Sequence, residues 1–417
     1  MIFWVLSFLF LAIAFIPRFF TFMNFGYGFS DLGLYSQFLA GLGQNDFNLM
    51  IPSFGHKFLE LKPEPFLYLF FPLAHSTVSP TVFLFMDIAC LIVAAGVCAR
   101  AGWVALHQRP VVNALFFIVL FSPLTLESLH APTRVTVWAQ APLALLMAEY
   151  LLQRRPKPMT FWFIILCAMN LSFGALALVL APLCLMTRMG RWNFRRRFSS
   201  AWPLLVVGAV SLWCLKLTGN HLAFEYDFFW ATLGNSLIIL LVSFWILPIL
   251  SFEILPVALF LMVLKIPGAT HDVSLIVPLG ALATVQALEF LAVKESWINR
   301  LVAAGMVATV IYLNINLEDP FFTPWKPQHY RLLSESKEFH DILAQIPPDA
   351  LVVSSDVFSV HLTQHLDMAI LGSWVVRNMT PDYVISQNQL TPFDNDRRYQ
   401  AVEIKSEPGT RLLKRIK

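Results

Sequence analysis

The ionisable residues in the first 316 positions gather in a few loops between apolar runs, and their types define the chemistry open to them. Asp31 stands in the run Ser30-Asp31-Leu32-Gly33-Leu34-Tyr35-Ser36-Gln37, where an ionised carboxylate could take the proton of an acceptor hydroxyl as a general base. The same carboxylate at the start of a helix satisfies free backbone amides, and the two roles are compatible. Asp46, His56, Glu60, Lys62 and Glu64 follow in the same long loop, then Glu127, His130 and Arg134, then Lys265, His271 and Asp272. Lys62, Arg134 and Lys265 suit a phosphate or pyrophosphate head group, because a cation offsets that charge where the dielectric is low. Each fits a snorkelling interface position equally well. His130, His271 and Asp272 could pair, bind phosphate or hold a divalent metal, but the sequence has no HExxH and no regular His/Asp metal spacing.

These loops are positioned by apolar segments of membrane-spanning length. Hydrophobic residues make up 57% of the 417 and charged residues only 13%, about half the share in a soluble protein, so the chain cannot hide its apolar surface as a water-soluble globule. The charge is uneven: 24 of the 55 Asp, Glu, Lys and Arg lie at or after residue 316. That shift divides the chain into a transmembrane domain, 1–316, and a soluble domain, 317–417. A net charge of +3 and the lack of a basic run interleaved with aromatics exclude nucleic acid as a partner. The five cysteines all lie in apolar stretches without a CxxC pair and read as small buried hydrophobes. The apolar start lacks a basic region and a cleavage site before Arg18, which predicts a retained first span.

Segments near 2–23, 81–101, 110–126, 135–152, 201–217, 228–248, 252–266, 273–293 and 298–316 read as single crossings. Residues 159–187 have Arg154, Arg155 and Lys157 before them and Arg188, Arg191, Arg195, Arg196 and Arg197 after. Both flanks belong in the cytoplasm by the positive-inside rule, so this segment reads as two short helices turning at Asn170 to Gly174. The total is eleven crossings. A cytoplasmic amino terminus keeps 12 of the 18 Lys and Arg before residue 316 inside. The loops at 24–80, 127–134, 218–227 and 267–272, and all of 317–417, then face the extracytoplasmic side of a bacterial inner membrane.

In the long first loop Leu32, Tyr35, Leu39 and Leu42 recur at helical spacing, which predicts an amphipathic helix lying at the membrane surface. Pro65 to Ala74 is too short to span and is expected to pack against the outer membrane face or dip into it. After residue 317, helix signals at 330–346 and 357–365 alternate with strand signals at 351–354, 369–371 and 383–386. This pattern predicts a small α/β domain with a mostly parallel sheet. That part has no Gly-rich phosphate fingerprint.

Taken in order, the Ser30-to-Gln37 run, Pro65-Phe-Leu-Tyr-Leu-Phe-Phe-Pro72, Leu129-His130, His271-Asp272 and the Ile346-to-Ser355 run resemble a bacterial and archaeal family of membrane proteins of unknown function. That family is similar to the GT-C superfamily of integral-membrane glycosyltransferases, which use polyprenyl-phosphate-linked sugars. The Asp-Leu-Gly-x-Tyr-x-x-Gln stretch carries the most weight. The resemblance implies a GT-C-like polytopic fold, a polyprenyl-phosphate-linked sugar as donor, Asp31 as the essential acid of the first outer loop, and substrate contact by Gln37 and His130. Lys62 stands where the family carries a His. Asn170-Leu171-Ser172 stands where it carries a Lys-Glu-Asp cluster. Two other functions fit the same composition: a non-catalytic assembly subunit that binds an envelope protein through 317–417, and a transporter of lipid-linked substrates, for which Asp87 inside a span would be a marker.

Overall fold

A computed structural model describes residues 2–27, 31–47, 49–51, 54–74, 80–129, 134–153, 156–186, 194–224, 238–244, 247–251, 253–266, 273–291, 296–316, 331–347, 349–363, 368–371, 380–387, 391–394, 396–402 and 410–416. Among the described residues, five helices are long and apolar enough to cross a membrane: Ile2–Met23, Thr81–Leu106, Arg109–Ser128, Phe198–Leu217 and Trp297–Asn316. They coincide with five of the expected spans. Four shorter apolar helices, Val135–Leu151, Lys157–Met169, Leu171–Met186 and Ser274–Phe290, match four more, including both arms of the predicted pair at 159–187. Most of the expected span at 228–248 lies outside the described residues. The one at 252–266 holds a helix at Leu255–Val263.

The described elements divide into two compact units. One comprises Met1–Ala14, Lys62–Phe66 and Met86–Pro324. Its helices are the body of α3 (Thr81–Leu106), α4 (Arg109–Phe121), α5 (Val135–Ala148), α6 (Pro156–Met169), α7 (Ala177–Met186), α8 (Phe194–Leu217), α9 (Leu255–Val263), α10 (Val277–Phe290) and α11 (Ser296–Asn316). The arms α6 and α7 both pack on α8, and α4 packs on α11. Small residues permit the first of these contacts. A Cβ on Gly208 of α8 would stand 2.5 Å from that of Ala177 and 2.6 Å from the carbonyl oxygen of Gly174. Close backbone approach of this kind is how helices gain dispersion contact where lipid gives no hydrophobic drive.

The other unit comprises Phe15–Leu61, Leu67–Phe85 and Trp325–Lys417. It holds the second half of α1 (Ile2–Met23), the helix α2 (Asp31–Gly43), the turns at Pro65–Phe70 and Phe71–Ala74, and a five-stranded sheet. The strands are β1 (Val352–Ser354), β2 (Ala369–Ile370), β3 (Tyr383–Gln387), β4 (Tyr399–Val402) and β5 (Thr410–Arg415), in the order β2-β1-β3-β5-β4. The first three lie where alternating patterns predicted them. The sheet is mixed, however, not mostly parallel: β1 pairs in parallel with β2 and β3, while β5 pairs antiparallel with both β3 and β4. Leu412 and Leu413 are covered while Arg411 and Lys414 are exposed, so β5, though interior to the sheet, lacked the continuous apolar signal of β1 and β3. Val353, Ala369, Val384, Phe393 and Leu413 form the core on one face.

The expectation for α2 needs correction. Ten of its 13 residues are buried, Ser36 and Gln37 among them, so protein covers more of this helix than the single apolar stripe of an amphipathic surface helix would require. Phe58 stacks on Phe38 at 4.1 Å, Phe83 approaches Tyr35 at 5.6 Å, and Tyr68 stands edge-on to Phe38 at 5.2 Å. The turns at 65–74 pack on α2 and on the loop after it, where the Tyr68 hydroxyl donates to the Phe47 carbonyl at 2.8 Å.

Candidate functional site

In the first unit, polar residues of several chain segments are withdrawn from solvent, among them Lys62, Glu64, Gln140, Asn170, Ser172 and Ser274. The segment Lys62–Phe66 has no regular structure over its first residues, yet the Lys62 side chain is only 2% exposed and Glu64 is 0% exposed. Two contacts hold it there. The Leu171 amide donates to the Pro63 carbonyl at 3.0 Å, and the Phe66 ring meets Trp138 of α5 edge-on at 5.2 Å. Burying an ammonium and a carboxylate costs several kcal/mol per ion unless partners compensate, so a chain retains such groups where they are needed.

The turn that grips this segment is built by Asn170. Its backbone is extended, and its Oδ1 accepts from the Ser172 amide at 3.1 Å and from the Ser172 hydroxyl at 2.7 Å, which caps the helical turn Leu171–Leu176. The Ser211 hydroxyl of α8 donates to the Leu171 carbonyl at 2.8 Å. Asn170 and Ser172, the residues standing where the resembling family carries charges, are thus structural here.

On the neighbouring helix, Arg134 is the residue before α5. Its backbone is extended, its side chain is half-buried, and its carbonyl accepts from Val137 and Trp138. Two turns on, the buried Gln140 amide donates to the Ser274 hydroxyl at 2.8 Å. This bond ties α5 to the turn Val273–Ile276, which follows Asp272 directly. Lys265 lies in a two-residue strand after α9, paired with Ala223, and is exposed. Ala223 closely follows the end of α8.

The structure thus places Lys62, Glu64 and the start of α5 at Arg134 in one unit. Lys265 belongs to the same unit. Asp31 and Gln37 belong to the other, where Asp31 is the half-buried first residue of α2 and Gln37 is fully buried. His130, His271 and Asp272 lie outside the described residues. Among the described residues no group of three or more His, Cys, Asp or Glu converges as a metal site would. Sequence reasoning had not assigned a site role to Glu64, Asn170, Ser172, Gln140 or Ser274. Glu64 alone had a local signal, a carboxylate two residues from Lys62 in a charge-poor chain.

No family model matches the sequence, and no curated protein sequence does. The fold, by contrast, has a solved counterpart: the crystal structure of ArnT from Cupriavidus metallidurans bound to undecaprenyl phosphate. The match spans 98% of this chain and 97% of that one, with a TM-score of 0.53 at 12% sequence identity. The likeness holds at the level of fold: this is a mostly helical protein, with helices of membrane-spanning length, that shares the fold of the ArnT structure.

Proposed function

We propose that this protein is an integral-membrane glycosyltransferase that moves a sugar from a polyprenyl-phosphate donor to an extracytoplasmic acceptor. The observation that carries the reading is the ArnT fold over nearly the full length of the chain, in a protein solved with undecaprenyl phosphate bound. The buried Lys62, with Arg134 in the same unit, supplies the type of charge a lipid phosphate requires.

In this reading Asp31 takes the proton from the acceptor hydroxyl as its oxygen bonds to the anomeric carbon. The bond from that carbon to the phosphate oxygen breaks with its electron pair on the phosphate, and Lys62, Arg134 or Lys265 offsets the charge of the departing polyprenyl phosphate. Direct displacement inverts the anomeric centre. Gln37, His130, His271 and Asp272 contact substrate. The amino terminus lies in the cytoplasm of a bacterium, the transmembrane domain is 1–316, and the soluble domain 317–417 faces the other side of the inner membrane.

The test is native mass spectrometry of the protein in nanodiscs with added undecaprenyl phosphate. Wild type is expected to retain the lipid, and Lys62→Ala and Arg134→Ala to lose it. Wild-type protein that retains none would sink the donor site. That result would favour an assembly subunit, a reading that the structural use of Asn170 and Ser172 at the turn already gives some footing.

A further inference from the structure

The last turn of α1 is held by residues from the far end of the sequence, all within the second unit. The helix ends with the Gly26 amide bonded to the Thr21 carbonyl and the Phe25 amide to the Phe22 carbonyl, a closure that sets its penultimate residue in the left-handed region. That residue is normally glycine. Here it is Phe25, at φ +59°. Strain of this kind in a bulky side chain persists where surrounding structure fixes it, and it points to a function for the side chain.

The Phe25 ring is lodged among four rings of the carboxy-terminal part: Phe339 at 5.7 Å, His340 at 4.8 Å, Phe358 at 5.4 Å and His361 at 4.2 Å. The two histidines also reach the helix backbone. His340 Nε2 donates to the Met23 carbonyl at 2.9 Å and His361 Nε2 to the Phe22 carbonyl at 3.0 Å, across separations of 317 and 339 residues. Carbonyls of a last helical turn lack the usual helical partner, so these bonds cap it, the Phe22 carbonyl accepting from His361 as well as from the Phe25 amide. Asn24 completes the join, with its amide donating to the Arg331 carbonyl and its Oδ1 accepting from the Leu333 amide, both at 3.0 Å. Four consecutive residues, Phe22 to Phe25, are thereby engaged by residues 331–361. The short turn Val360–Leu362 that carries His361 also packs against α2, whose first residue is Asp31.

We propose that Phe25, His340 and His361 are positioning residues, a clasp through which the sheet-bearing part of the chain fixes α2 and so the place of Asp31. The proposal rests on the reading of Asp31 as the general base. The clasp itself can be tested apart from that reading.

The experiment uses the full-length protein in nanodiscs, with spin labels on Gln44→Cys, just after α2, and Gln400→Cys, in β4. A control pair carries labels on Gln345→Cys and Gln400→Cys. Phe25→Gly keeps the left-handed backbone and removes only the ring, and His361→Leu removes the donor. Both are expected to lose the single narrow α2-to-sheet distance and to leave the control distance unchanged. His361→Gln, whose amide nitrogen can take the place of Nε2, is expected to restore it. A narrow distance that survives in Phe25→Gly and His361→Leu would overturn the proposal, and so would equal broadening of the control pair.

Retention of added undecaprenyl phosphate, read on the same samples, is expected to be unchanged in the clasp variants. Its loss there would overturn a role confined to Asp31. Its absence in wild type would instead count against the transferase reading, while the distances still judge the clasp.

Discussion

At the scale of single residues, the contrast between Lys62 and Lys265 is the most informative. Both are lysines in loops of a charge-poor chain, and nothing local distinguishes them, yet one is almost fully buried beside a buried Glu64 and the other is exposed. A buried ammonium acts on a phosphate through little intervening water, so Lys62 carries more of the expected lipid affinity than Lys265. Lys265→Ala is accordingly expected to retain undecaprenyl phosphate better than Lys62→Ala when the two are compared by native mass spectrometry. Asp31 makes a different prediction. General-base catalysis contributes about 10²–10⁴-fold, so Asp31→Asn should lower the transfer rate by that order with lipid retention unchanged. Unaltered transfer in reconstituted membranes would rule out the base assignment.

At the scale of elements, the short helix pair α6 and α7 shows how local rules and close packing cooperate. Asn170 caps the turn, and replacing a capping Asn with Ala costs about 1 kcal/mol, so Asn170→Ala should lower the melting temperature modestly in detergent. The closer contact lies between the same turn and α8. An Ala at Gly208 would place its Cβ against backbone and a neighbouring Cβ, neither of which can swing away, and overpacking of this kind costs about 1–3 kcal/mol. Gly208→Ala should therefore destabilise more than Asn170→Ala. The opposite ranking in thermal unfolding would mean that the contact between α8 and the turn is looser than described. Because that turn also grips the Lys62–Phe66 segment, both variants should weaken lipid retention in step with stability.

At the scale of the whole molecule, the second unit is assembled from the two ends of the chain, and its acid response should reflect that. Burial pushes the His361 imidazole down to about 3, the neighbouring His340 adds to the effect, and the bond to the Phe22 carbonyl partly opposes it. The folded value lies below the ordinary value of 6.5, so the contribution of His361 is complete above about pH 6.5 and is lost as the pH falls toward 3. Within that window each pH unit removes up to about 1.4 kcal/mol. The α2-to-sheet distance should be narrow at pH 7.5 and broaden at pH 5, and the change should be smaller in His361→Gln. An acid response as large in that variant as in wild type would assign it to other groups.

The sequence alone determined the apolar helical character of the chain, the positions of nine apolar helices, the turn at Asn170 to Gly174 and three strands of the sheet, because each rests on local hydrophobic length or period and on nearby charge. It also selected Asp31 and Lys62 by residue type. It did not determine how deeply either is buried, nor how much of α2 protein covers, since an apolar stripe at helical spacing reads the same whether lipid or protein covers the remaining face. Nor did His340 and His361 carry any local signal. Their partners are the Met23 and Phe22 carbonyls, 317 and 339 residues away, and a backbone carbonyl is the same group at every position until the tertiary fold brings one side chain to it.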